Sequence, residues 1–261
     1  VYACGVNNNN GGWRYGQLGL NSTQDTFLTL QQVKGLNGNG VLTDIIAASA
    51  YESHSIFLKG TLSKDFAPLI ANSTITQDLY ATGRNDYSQL GVGNSTNLTT
   101  FTKMSLVFNV VQISSCTTHT LFLSSDGTVY SCGRNAYGQL GLNDTTSRSS
   151  PTMISTTYLS GIIQVSAGTA GGGDGFINEH SLFLKNNGIA FSCGRNNYGQ
   201  LGLGNTTDIW IPTQITSISG ISKIIGGSGA SYFLMNDKTV YCCGYNGSGQ
   251  LGLNDNTDRL S

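Results

Sequence analysis

A ten-residue phrase, Cys132-Gly133-Arg134-Asn135-Ala136-Tyr137-Gly138-Gln139-Leu140-Gly141, returns almost unchanged as Cys193-Gly194-Arg195-Asn196-Asn197-Tyr198-Gly199-Gln200-Leu201-Gly202. Variants stand at Thr82 to Gly91, at Cys243 to Gly252 and, with an insertion, at Cys4 to Gly19. Such copies mean that one supersecondary unit has been duplicated along the chain. A unit of this kind cannot bury its apolar face alone and must stack on its neighbours. The glycine after Cys or Thr marks the register. Gly5, Gly83, Gly133, Gly194 and Gly244 are 78, 50, 61 and 50 residues apart, so the period is 50 and two intervals carry insertions.

A second phrase confirms the register. His119-Thr120-Leu121-Phe122-Leu123, His180-Ser181-Leu182-Phe183-Leu184 and Ala230-Ser231-Tyr232-Phe233-Leu234 each begin 14 residues before their marker glycine. His54-Ser55-Ile56-Phe57-Leu58 begins 29 before Gly83, which places an extra 15 residues around Gly60 to Asp78. Leu121-Phe122-Leu123 and Thr128-Val129-Tyr130 are β-prone runs, and Ser124-Ser125-Asp126-Gly127 between them has the chemistry of a tight hairpin. Lys185-Asn186-Asn187-Gly188 and Asn236-Asp237-Lys238 repeat that turn. No stretch sustains a 3.6-residue apolar period, so no helix of consequence is expected. About four short strands per unit predict an all-β fold, a β-propeller of four-stranded antiparallel blades.

The pattern His-Ser-Leu-x-Leu, then Asp-Gly-x-Val-Tyr-Ser-x-Gly-x-Asn-x-Tyr-Gly-Gln-Leu-Gly, resembles the regulator of chromosome condensation repeat family over essentially the whole chain. The resemblance implies a seven-bladed propeller. Seven units would need about 350 residues, whereas this chain has 261. It is read as a single propeller domain or a fragment of one over 1–261, about four and a half blades of a partial ring, with motifs at 1–20, 79–92, 129–142, 190–203 and 240–253. Strand edges near Val1 to Gly5 and near Val240 to Ser261 are then expected to be covered, by further chain or by a neighbouring copy, because bare edges invite pairing. The family also includes guanine-nucleotide exchange on small GTPases, in which an inserted hairpin acts as a wedge on the partner. The insertion around Gly60 to Asp78 is the counterpart to consider here.

Charged residues make up 10% of the chain and the net charge is −1, against about 25% charged in ordinary soluble domains. No basic tail or Lys/Arg cluster is present, which argues against nucleic acid as a partner. No run of 18 apolar residues appears, so no helix spanning a membrane is expected. A lightly charged, Asn- and Thr-rich surface favours an extracellular or cell-surface setting over the cytoplasm. Cys4, Cys132, Cys193 and Cys243 recur at the repeat spacing, so they are expected buried and reduced on equivalent strands, too far apart to bridge. The vicinal Cys242-Cys243 pair should point to opposite faces. No Cys-x2-Cys spacing supports zinc, and no metal or other cofactor is expected. Seven Asn-x-Ser/Thr sequons occur, and four of them, Asn21, Asn94, Asn143 and Asn205, follow Gln-Leu-Gly on one repeated loop. These are the glycosylation candidates.

The other polar repeats read as architecture. Gln17, Gln89, Gln139, Gln200 and Gln250 should satisfy backbone groups of a tight turn. Arg84, Arg134 and Arg195 should donate hydrogen bonds between blades. His54, His119 and His180, one per blade, have no acid at fixed spacing, and no nucleophile triad is visible. No catalytic residue is therefore assigned. What breaks the repeat is where function should lie: Asn7 to Arg14 with Trp13, the hairpin tip with Phe66, Leu69 and Ile70, and the Gly-rich stretch Gly168 to Asn178. The expectation is a non-enzymatic propeller scaffold, used for protein–protein contact or as a structural subunit of an assembly such as an extracellular filament or coat. Its partner would be another protein or a neighbouring copy of itself, with Trp13, Phe66, Leu69 and Ile70 as the contact residues. The alternative is guanine-nucleotide exchange.

Overall fold

Each 50-residue unit folds as strands joined in sequence order, every one antiparallel to the last. The computed structural model of the chain describes residues 2–6, 26–32, 40, 42–51, 54–60, 77–106, 108–169 and 178–261. Strand β1 (Tyr2–Val6) pairs with β2 (Thr26–Gln32). The first full blade holds β3 (Ile45–Tyr51), β4 (His54–Lys59), β5 (Asp78–Gly83) and β6 (Leu98–Met104). The second holds β7 (Val110–Ser115), β8 (His119–Ser124), β9 (Val129–Gly133) and β10 (Arg148–Met153). The third holds β11 (Ile162–Gly168), β12 (His180–Lys185), β13 (Ala190–Gly194) and β14 (Ile209–Gln214). The last holds β15 (Ile221–Gly226), β16 (Ala230–Met235) and β17 (Val240–Gly244), and Arg259 bridges Gly244 where the fourth strand of the other blades begins. The described residues contain no helix, and the propeller expected from the period is the observed architecture.

The core lies between blades rather than inside them. Successive strand residues face opposite ways, so Leu121-Phe122-Leu123 buries both faces of its sheet. Leu121 and Leu123 join Val165, Phe183 and Cys193 of the following blade, while Phe122 joins Ile56, Leu58 and Leu79 of the preceding one. Phe233 and Cys243 repeat the pattern against Leu182, Leu184 and Ala190. The recurrent cysteine fits because it meets backbone. A Cβ on Gly91 would stand 2.9 Å from Cys132 Sγ, and Gly141 and Gly202 approach Cys193 and Cys243 in the same way. The five described cysteines are free, with Cys132, Cys193 and Cys243 buried as expected and Cys242 half-buried. The side chain of Cys4 lies outside the described residues.

The antiparallel order sorts the loops into two ends. The connections from first to second and from third to fourth strand share one end, called here the motif end. The hairpins between second and third strand share the other. Gly168, which ends β11, therefore stands at the motif end, and Val6, which ends β1, stands at the motif end of its own blade. Lys59, which ends β4, and Asp78, which opens β5, stand at the hairpin end. The five described arginines all stand at the motif end.

Candidate functional site

The motif loop is held by its asparagine. In the second full blade Asn135 Oδ1 accepts from Leu140 N at 2.9 Å, and Asn135 Nδ2 donates to Asp144 O at 2.9 Å and to Asp144 Oδ1 at 3.0 Å. Asn85, Asn196 and Asn246 make the same bonds in their own loops. One buried amide thus replaces the ladder partners that a loop backbone lacks. The glutamine does what its recurrence predicted: Gln139 Oε1 accepts from Tyr137 N at 2.9 Å, and Gln89, Gln200 and Gln250 act likewise. The leucine that follows the glutamine plugs the seam, with Leu90, Leu140 and Leu201 fully buried.

Across the seam, the glutamine's carbonyl collects donors from the next blade. Gln139 O accepts from Ser181 Oγ at 2.6 Å and from Cys193 Sγ at 3.7 Å. Gln89 O accepts from Thr120 and Cys132, and Gln200 O from Ser231 and Cys243. Because the Ser181 proton goes to Gln139 O, His119 Nε2, 2.9 Å from Ser181 Oγ, must carry the proton of that contact. His119 Nδ1 is then bare and receives the thiol of Cys116 at 2.9 Å, a partner that the sequence did not reveal. His180 lies 2.9 Å from Ser231 Oγ and 3.0 Å from Asn178 O. With the Ser231 proton on Gln200 O, the neutral ring can serve only one of the two. His54 is buried, with neither ring nitrogen hydrogen-bonded among the described residues. Burial, with Arg84 beside it, holds His54 down to about 4. Burial, with His180 and His54 nearby, holds His119 down to about 3. Burial also holds His180 down to about 4. The same desolvation pushes the Cys116 thiol up to about 12, so the Cys116–His119 contact is a neutral pair and not an activated nucleophile.

The arginines stack as well as bond. Arg134 lies between the rings of Tyr87 and Tyr137, 5.5 Å from each centroid, and Arg195 lies 4.5 Å from that of Tyr137. Tyr245, in the arginine's place, continues the row against Tyr198 at 4.8 Å. Planar guanidinium suits such stacking where an ammonium would not. The expected cross-blade hydrogen bond is seen for Arg134, which reaches Glu179 at 3.5 Å, whereas Arg84 pairs with Asp86 of its own loop at 2.8 Å. Glu179 is fully buried and also receives Gln139 Nε2. Burial lifts its carboxyl above the usual range, against the pull of Thr118 and Arg134. Sequence reasoning missed this residue. The signal was present, since Thr118, Glu179 and Gly229 occupy one repeat position and only one of them is charged.

Near the axis, Gln112 and Gln164 cap strand edges. Gln112 exchanges two 3.0 Å bonds with Val165 N and O, and Gln164 does the same with Ile224. They frame a groove of about 580 Å³ at the hairpin end with Val111, Ile163 and Lys223.

Of the residues singled out by sequence, Trp13, Phe66, Leu69, Ile70 and Asn21 lie outside the described residues. Asn94, Asn143 and Asn205 are exposed on the motif loops. Asn94 and Asn205 each accept a backbone N–H two residues on, from Thr96 and Thr207, both at 2.9 Å. Asn246, also in a sequon, is buried with its amide nitrogen on Asp255.

The regulator of chromosome condensation (RCC1) repeat matches residues 126–170 and 187–234, and a second pattern of the same description matches 110–139 and 221–250. The ultraviolet-B receptor UVR8 of Arabidopsis thaliana is 27% identical over 174 residues, which are 66% of this chain and 37% of that protein. The crystal structure of Prp20p from Saccharomyces cerevisiae, described with its binding to Gsp1p and histones, superposes with a TM-score of 0.73 at 19% identity, over 99% of this chain and 57% of that one. Human WBSCR16 superposes at 0.70 with 21% identity, over 94% and 57%. The chain thus spans about a third of the curated relative it matches and under three fifths of these solved structures.

Proposed function

From a chain built of regulator of chromosome condensation repeats, whose recurrent polar side chains are engaged in holding blades together, we propose a non-enzymatic scaffold that works by protein–protein contact. The observation that carries this reading is the seam. Asn135, Gln139, His119, Ser181 and Cys193 are buried and bonded across or within blades. Catalysis needs polar groups aimed at a reacting molecule, and these are aimed at one another. Partner contact then falls to the segments that interrupt the repeat, at 7–14, 60–78 and 168–178. Relatives with the same fold differ in what they do, so the fold does not name the partner.

Guanine-nucleotide exchange is the second reading. It draws on the Prp20p structure, reported with binding to Gsp1p, and on the insertion at 60–78, which extends one hairpin at a single blade. The scaffold reading is tested by cross-linking the purified protein to its partners in an extract of its source and mapping the linked peptides. Cross-links should concentrate at 7–14, 60–78 and 168–178. Links centred on the motif loops at 84–97, 134–147 and 195–208, with none at the insertions, would overturn it.

A further inference from the structure

A carboxamide clamps the inner strands of neighbouring full blades in two seams and is missing from the remaining one. Gln112 Nε2 donates to Val165 O, and Gln112 Oε1 accepts from Val165 N, both at 3.0 Å. Gln164 does the same for Ile224, again at 3.0 Å. Each glutamine faces the leucine of its own second strand, Leu123 or Leu184, and the residue that faces Leu58 at that place in the first full blade is Ala47. Alanine ends at Cβ, so the methylene and carboxamide that fill the other two seams are absent here. The seam otherwise keeps its plan. Ser49 Oγ accepts from Ser115 N at 3.0 Å, as Ser114 Oγ does from Ala167 N at 3.0 Å and Ser166 Oγ from Gly226 N at 2.9 Å. Ile113 pairs with Phe122 as Val165 pairs with Phe183, so its N–H and C=O also turn away from their own sheet. Among the described residues nothing across the seam bonds either group. Ile113 is 9% exposed, against 1% for Val165 and 1% for Ile224 under their clamps.

We propose that the notch between Ala47 and Ile113 binds a primary carboxamide, supplied by a glutamine or asparagine side chain of a protein partner. Ile113 offers one donor and one acceptor side by side, and a carboxamide answers both at once. The two filled seams give the pose, with the amide oxygen on Ile113 N and the amide nitrogen on Ile113 O. A carboxylate brings no donor and would leave the Ile113 carbonyl unpaired. A β-strand does not fit, because the open edge is short. Ser49 takes the next outward N–H at Ser115, and a bulge between Val110 and Gln112 interrupts the strand on the other side. A backbone donor and acceptor left without partners beside the core cost free energy, and the incoming amide recovers it. The notch is built from strand residues and from none of the interrupting segments, so its failure would leave the scaffold reading standing.

Amide shifts and amide exchange, both read by NMR, test the site with acetamide, whose methyl and carboxamide are the atoms that Ala47 lacks. In the unmodified chain the Ile113 amide should exchange about tenfold faster, or more, than those of Val165 and Ile224. Acetamide should shift the Ile113 amide saturably and slow its exchange, whereas acetate and N,N-dimethylacetamide, neither of which has a donor, should do neither. An acetyl-Gly-Gln-Gly-methylamide peptide should act as acetamide does at lower concentration, and its Glu counterpart should be inert. Ala47→Gln should lower Ile113 exchange to the Val165 rate and abolish the response to acetamide. Gln112→Ala should create a second response at Val165. An Ile113 amide as protected as that of Val165 in the unmodified chain would overturn the proposal, and so would a response to acetamide that survives Ala47→Gln. Acetamide binding without binding of the glutamine peptide would overturn a partner side chain as the source of the amide.

Discussion

Gly138→Ala probes the seam at its tightest point. Gly138 has a φ of 77°, and a Cβ on it would stand 2.5 Å from both Cα and Cδ1 of Trp210 in the next blade. A non-glycine residue in this left-handed region costs about 1 kcal/mol. Carbon contacts settle near ~3.5–4 Å, so the outer strand must retreat by about 1 Å, with an overpacking cost of about 1–3 kcal/mol. Retreat also stretches the 3.0 Å bond from Asn143 N to Trp210 O, which removes about 1 kcal/mol more. The expected loss is about 3–5 kcal/mol in urea unfolding. Gly204→Ala is the matched control: its φ is 73° and nothing lies within 4 Å of the added Cβ, so only the backbone cost of about 1 kcal/mol applies. The chain contains its own variant of the pair. Ser88, with a φ of 64°, stands in the place of Gly138, and the residue in the place of Trp210 is Ser149. Gly138→Ser combined with Trp210→Ser should therefore be less destabilising than the sum of the two by about 1–2 kcal/mol. Equal losses for Gly138→Ala and Gly204→Ala would refute the seam geometry argued here.

Ser181→Ala removes the donor to Gln139 O and the acceptor for His119 Nε2, both buried, and should cost about 2–4 kcal/mol in the same assay; a loss below about 0.5 kcal/mol would contradict the assigned proton order. The pH dependence follows from the histidines. Their folded pKa values of about 4, 3 and 4 lie below the unfolded value of 6.5, so the stability they confer is complete above that value and is lost as pH falls through it. The raised pKa of Glu179 works in the opposite sense and offsets part of the loss. Stability should fall by about 2–4 kcal/mol between pH ~7 and ~5.5, and urea midpoints that stay flat over that range would contradict neutral, buried imidazoles.

The blades were legible because their signals are local. The 50-residue period, the Ser124–Gly127 turn and the Leu121-Phe122-Leu123 alternation each specify structure within a few residues, and strand boundaries followed them, down to an insertion bounded by Lys59 and Asp78. Among the described residues the recurrent cysteines and glutamines pack as expected, because repetition argues for packing. What escaped was long-range. Nothing near Ser181 shows that its hydroxyl serves Gln139, 42 residues back across a seam. Asn135 was passed over as part of a phrase, although its side chain organises the whole loop. The arginines were expected to bridge blades by hydrogen bonds; Arg134 does so to Glu179, and Arg134 and Arg195 also reach the tyrosine rings of the preceding motif loop, a contact that register alone sets. Glu179 shows the converse lesson, since a single departure at a repeated position marked a buried charge. The residues proposed for partner contact, Trp13 and Phe66 to Ile70, sit in segments without repeats, where no internal comparison guides the reading.

The central claim is that the repeat holds blades together while the chain acts by contact alone. Nucleotide release from a panel of small GTPases, measured with and without this protein, tests it most directly. The account predicts release rates unchanged within about twofold. Acceleration of about tenfold or more, abolished by deleting residues 61–76 from the hairpin between Lys59 and Asp78, would contradict the scaffold reading and establish exchange.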